Sequence, residues 1–237
     1  MKLLTEKELI WSAVVANNRM NRERKASGVN SYEKELKFRP EEYIKNLLKH
    51  RDQIKWLDLC CGKGNALLQC AIELATHSLQ NRVALTGLDL VDGFQSTPSV
   101  ISCLKWKVQS VVDWEADDQY DLVTCVHGLH YADDKLKVLQ TACKALTEKG
   151  IFTANLDLQN IRIPGCEELR YIKDLLTQNE IEYNVRRKVI TCKGPRDMDF
   201  GLMYEGADDE TGPNYTGQEA VDSYYSLQTV KLIIGDR

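Results

Sequence analysis

Hydrophobic positions fall into two registers along the chain. Short, nearly continuous apolar runs at Ile54 to Leu59, Val83 to Leu90, Leu104 to Val112, Asp121 to Val126 and Gly150 to Leu156 have the length of strands. Between them, the stretches Asn65 to Leu79 and Asp134 to Leu146 carry apolar residues at helical spacing. Strands buried on both faces read as apolar runs, so this alternation predicts βαβ units and a mostly parallel sheet with helices on both sides. Before the core, Leu9, Ile10, Ala13, Val14 and Ala16 predict an amphipathic helix over about Thr5 to Arg24. A second is expected from Pro40 to Lys49, with proline in its first turn and Glu41 and Glu42 near its positive end. After the core, Glu167 to Asn179 reads as a helix, and Tyr183 to Thr191 is expected to pair with Asp199 to Tyr204 across Lys193-Gly-Pro-Arg196. Thr216 with Glu219 makes a capping box, and Ala220, Val221, Tyr224 and Leu227 continue it as a short helix.

The expected fold is therefore α/β: a doubly wound, Rossmann-like sheet with an antiparallel C-terminal hairpin. Residues 1–50 would form a helical cover, 51–206 the core, and 207–237 a tail over the site. At 237 residues this amounts to one elaborated domain. The apolar and charged fractions, 43% and 28%, are those of a soluble protein, and no apolar run approaches the roughly 20 residues of a membrane span. A net charge of -4 gives no basic footprint, so neither nucleic acid nor membrane is expected as a partner. The run Arg19, Arg22, Arg24 and Lys25 is interrupted by Glu23 and reads as a solvated helix face rather than an anion site. Eight cysteines (60, 61, 70, 103, 125, 143, 166 and 192) lie mostly in apolar segments with no C-x-x-C spacing. They read as core residues in a reducing cytoplasm.

The chemistry starts after the first strand, in Asp58-Leu-Cys-Cys-Gly-Lys-Gly64. Small residues at Cys60, Gly62 and Gly64 let the backbone approach a ligand at a helix start. Asp58 offers a carboxylate where a cofactor's ammonium would lie. The second strand ends at Asp89, followed by Leu90, where doubly wound folds place an acid on a ribose. A dinucleotide loop would need a third glycine where Leu67 stands, and a P-loop would need Ser or Thr directly after Lys63. Ser110 and the Val111 amide would lie near an adenine edge, and Val126 would line the floor.

From Trp56 through Leu156 the chain resembles the class I S-adenosylmethionine-dependent methyltransferases, whose loop reads roughly D-x-G-x-G-x-G. Cys60 stands for the first glycine, and Ser110 where an aspartate near the adenine is usual. The resemblance implies S-adenosylmethionine as methyl donor, S-adenosylhomocysteine as product, and an active site at the strand ends. His127 and His130 follow the fourth strand, in a turn similar to the Leu-His-His of small-molecule enzymes; either faces the acceptor or packs the next helix. The Asn/Asp-Pro-Pro-Tyr/Phe stretch of amide and base methylating enzymes is absent there. The expected acceptor is an oxygen or nitrogen of a small metabolite or short peptide. Tyr32, after the break at Gly28, and Tyr215, in the tail, are candidate covers, and their surroundings resemble a bacterial subgroup of the family. A cofactor-binding protein without turnover and an NAD(P)-dependent oxidoreductase remain the alternatives.

Overall fold

The computed structural model describes residues 2–9, 11–16, 23–165 and 167–228. Ile10, Arg19, Arg22 and Cys166, named above, lie outside the described residues. Ten strands form two sheets. β1 (Ile54–Leu59), β2 (Val83–Asp89), β3 (Leu104–Val108), β4 (Tyr120–Cys125) and β5 (Leu146–Asn155) are parallel. β8 (Val189–Lys193) then runs antiparallel to β5, and β7 (Glu182–Asn184) antiparallel to β8, giving the order β3-β2-β1-β4-β5-β8-β7. The order reverses between β1 and β4, and doubly wound sheets place their ligand crevice at that switch. A second sheet, β6-β10-β9, joins Ile161–Arg162, Asp222–Leu227 and Leu202–Asp208.

Seven helices are described: α1 (Glu6–Leu9), α2 (Ala13–Ala16), α3 (Tyr32–Leu36), α4 (Pro40–Leu47), α5 (Asn65–Thr76), α6 (Lys135–Lys144) and α7 (Glu168–Gln178). Side chains alternate through β1, so the sheet has two cores. Trp56 packs with Ile44 of α4 and Leu67 and Leu74 of α5, while Leu57 and Leu59 pack with Leu139 of α6 and Ile172 of α7. Asp134 caps α6, its side chain accepting from the Lys137 amide. Gly64, left-handed at φ 72, opens α5, and a Cβ there would lie 2.2 Å from Trp106 Cη2. That indole stacks on Phe94 at 4.9 Å, so glycine lets an aromatic plate close the flank of the loop.

Four expectations are corrected. β3 ends at Val108, so residues 109–112 form the loop after it. In place of the single N-terminal helix, the described residues hold two short ones, α1 and α2. Tyr183 to Thr191 is not one strand: Asn184 Oδ1 accepts the Arg187 amide at 3.0 Å, turning the chain so that β7 pairs with β8 while β9 joins the other sheet. The helix expected after Thr216 is β10; Thr216 Oγ1 donates to Asn214 Oδ1 at 2.6 Å, and residues 222–227 take ladder bonds from β9 and β6 at once. Such long-range pairing is invisible to local spacing.

The segment expected as a tail from residue 207 is thus woven into a sheet. Lys135 Nζ, buried, reaches Ala132 O, Val221 O and Ser223 Oγ at 2.8, 2.8 and 2.9 Å. Val221 N donates to His130 O at 2.9 Å, which ties the strand to the loop after β4. The N-terminal segment joins the same edge where Leu4 bridges Ala207. Cys61, Cys70, Cys103, Cys125, Cys143 and Cys192 are buried, and all described cysteines are free thiols. No helix among the described residues is long and apolar enough to cross a membrane.

Candidate active site

A cleft opens at the carboxyl ends of β1, β2 and β4. Cys60 and Gly62 form its floor, Leu88, Asp89 and Leu90 one wall, Ser110, Val111 and Val112 the far end, and Val126, His127 and Gly128 the near end. Two loops meet under it because residue 128 is glycine: a Cβ there would lie 2.3 Å from Cys60 Cβ. Asp89 organises the floor, Oδ2 accepting the Gly62 amide at 2.8 Å and Oδ1 the Val91 amide at 3.3 Å. Among the described residues the charged groups on the walls are Glu6, Asp89 and Asp133, with no lysine or arginine.

Of the residues expected from sequence, the structure brings Cys60, Gly62, Asp89, Leu90, Ser110, Val111, Val126 and His127 to this one cleft. Asp58 is different. It is fully buried beneath the loop, accepting the Tyr32 hydroxyl on Oδ2 at 2.7 Å and the Thr124 hydroxyl on Oδ1 at 2.6 Å. Burial, with the Asp89 charge adding to it, raises its carboxyl to about 7 against the pull of those two hydroxyls. Gly64 serves the packing of Trp106 and does not face the cleft. Tyr32 is no cover either: it is buried, edge-on to Trp56 at 6.4 Å, with its hydroxyl on Asp58.

The acceptor end is built around His127, whose left-handed backbone (φ 60) turns the chain sharply at the end of β4. Its amide donates to Asn155 Oδ1 at 3.3 Å, and Nε2 lies 3.2 Å from Glu35 Oε2. Glu35 comes from α3, whose first turn Ser31 caps by accepting the Lys34 amide, so Tyr32 and Glu35 project on one face. Arg24 Nη1 binds the other Glu35 oxygen at 3.0 Å. Burial opposes ionisation of Glu35, yet His127 and Arg24 together hold its carboxyl below the usual range. Burial pushes His127 down despite Glu35, so the ring is neutral at pH 7. His130 sits behind it, 5.3 Å between ring centroids, also pushed well down by burial; neither ring nitrogen has a partner among the described residues. Tyr215 reaches both rings, at 6.4 and 5.6 Å, and its hydroxyl lies 3.5 Å from Asn155 Nδ2.

Several cleft residues had no expectation attached. Glu6, Leu9 and Val15 enter from the N-terminal segment, over sequence separations that no motif spans. Glu35 could have been found, since the Ser31 cap fixes its face three residues after Tyr32.

The family model described as methyltransferase domain matches residues 32–186. The chain belongs to the methyltransferase-domain family. The match runs from Tyr32 to the β7–β8 turn, so α3 and its Glu35 fall inside it. No individually curated protein sequence matches. Among solved structures, YjhP of E. coli is 17% identical over 48% of this chain and 46% of that one, with a TM-score of 0.37. The sugar N-methyltransferase KedS8 from Streptoalloteichus is 16% identical over 48% and 46%, with a TM-score of 0.33. DhpI, in its complex with SAH, is 16% identical over 64% and 82%, with a TM-score of 0.37. The chain spans about half the length of the first two.

Proposed function

We propose that this protein moves a methyl group from S-adenosylmethionine to an oxygen or nitrogen of a small metabolite or short peptide in the cytoplasm. The observation that carries the reading is the charge of the cleft: a glycine-floored switch-point crevice walled, among the described residues, by three carboxylates and no lysine or arginine. A dinucleotide's pyrophosphate would be repelled there, while a sulfonium is attracted. In this reading Asp89 accepts the ribose hydroxyls, Gly62 and Cys60 bind the chain running toward the sulfur, and Asp58 with Tyr32 fixes the loop from below.

When bound, S-adenosylmethionine supplies an electrophilic methyl on a positively charged sulfur that departs as a neutral thioether. In-line displacement needs an aligned nucleophile in a dry site more than covalent machinery. His127 lines the cleft, with Tyr215 and Asn155 beside it, and its ring is neutral and so able to take the proton the acceptor loses. With a proton on Nε2, 3.2 Å from Glu35 Oε2, Nδ1 is the basic nitrogen, and the Glu35 charge stabilises the imidazolium once it forms. His130 and Tyr215 pack the ring in place.

The test is production of S-adenosylhomocysteine from S-adenosylmethionine and a cell metabolite extract, followed by mass spectrometry. Steady release is expected, falling about a hundredfold or more in His127→Ala with S-adenosylhomocysteine affinity unchanged. Cofactor binding without any turnover would leave a binding protein instead.

A further inference from the structure

The cofactor's direction in the cleft follows from the two ends just described. The methyl group must face His127 at the end of β4, and the ribose lies on Asp89 at the end of β2. The base therefore extends past β2 to the loop after β3, where Ser110 and Val111 stand. The part of that loop lining the cleft, Ser110 to Val112, carries no carboxylate, and the Ser110 hydroxyl is already engaged: it accepts the Val112 amide at 3.1 Å and donates to Glu6 Oε1. Glu6 is half-buried on the cleft wall beside Leu9, and its second oxygen has no hydrogen-bond partner among the described residues. Its position is built. Leu4 and Ala207 exchange amide bonds at 2.7 and 3.0 Å, and Glu8 Oε2 accepts the Thr5 amide at 2.9 Å, so α1 is pinned where it presents Glu6 inward.

We propose that Glu6, delivered by the N-terminal segment, is the group that reads the adenine: its carboxylate, oriented by Ser110, accepts a hydrogen bond from the exocyclic 6-amino group. This rests on the cofactor reading above. A carboxylate accepts and cannot donate, so it favours an amino group at that edge over a bare or carbonyl-bearing base. Apolar Leu9, Leu90 and Val111 bound the flat ring.

Calorimetric titration with S-adenosylhomocysteine, and with its analogue whose 6-amino group is replaced by hydrogen, tests this on wild type, Glu6→Gln and, as a control at an exposed carboxylate away from the cleft, Glu210→Gln. The Glu6→Gln side chain keeps an acceptor for Ser110 but turns an amide donor toward the base. The wild type should prefer the amino compound by about tenfold or more, Glu6→Gln by less than about threefold, and Glu210→Gln as the wild type does. A preference that survives Glu6→Gln overturns the assignment alone. Failure of the wild type to bind S-adenosylhomocysteine overturns it together with the cofactor reading.

Discussion

Replacing Asp89 with asparagine removes one negative charge from the cleft without changing side-chain size. In the native structure both oxygens hold the loop, through the Gly62 amide at 2.8 Å and the Val91 amide at 3.3 Å, while the carboxylate still lines the cleft. Asparagine keeps one carbonyl oxygen, which suffices for the shorter bond, and presents an amide donor or a weaker neutral acceptor to the ribose. Hydrogen bonds to charged groups contribute about 1.5–3 kcal/mol, so the loss of one corresponds to roughly ten- to a hundredfold in affinity. S-adenosylmethionine, a cation at sulfur, should lose more than S-adenosylhomocysteine, because only the former also loses Coulomb attraction. Titration calorimetry with both ligands measures this, and thermal melting of the variant reports whether the loop survives. An unshifted melt with S-adenosylhomocysteine affinity within about twofold of wild type would refute the placement of the ribose.

Three other outcomes are expected. Gly64→Ala forces a Cβ to within 2.2 Å of Trp106 Cη2 at a left-handed φ of 72; overpacking and backbone strain of roughly 2–4 kcal/mol should lower Tm by about 5–15 °C. Asp58, raised to about 7 from 3.8, binds more protons folded than unfolded between those values, so the stability it contributes is lost as pH rises through 7. Urea unfolding across that window should show this slope in the wild type and its loss in Asp58→Asn. Lys135 is lowered to about 7 from 10.5 by burial, so the unfolded chain holds the extra proton and stability rises with pH across that range. Lys135→Met should flatten that rise in the same measurement.

The parallel core was legible because its signals are local. Apolar runs such as Val83 to Asp89 can only be strands buried on both faces, and the break from strand to glycine loop to helix at Asp58 to Asn65 has one geometry. The far half was not, because β10 gains its place from partners at residues 161–162 and 202–208, and its apolar spacing fits a helix equally well. The cofactor side of the cleft was readable for the same reason as the core: Asp89, Leu90 and Val126 sit at or just past strand ends. Asp58 shows the limit of that reasoning. The strand end was correctly located, but Tyr32, 26 residues upstream, occupies the carboxylate and removes it from the cleft. Glu6, reaching Ser110 across 104 residues, depends on the bridge between Leu4 and Ala207, which no sequence spacing encodes.

A crevice walled by Glu6, Asp89 and Asp133 should select a sulfonium cofactor over a dinucleotide. Parallel titration of the purified protein with S-adenosylmethionine, S-adenosylhomocysteine and NAD measures it directly. Saturable binding of the first two, with Kd on the order of micromolar and no heat from NAD, is the predicted result; saturable binding of NAD, or none of either S-adenosyl compound, would contradict it.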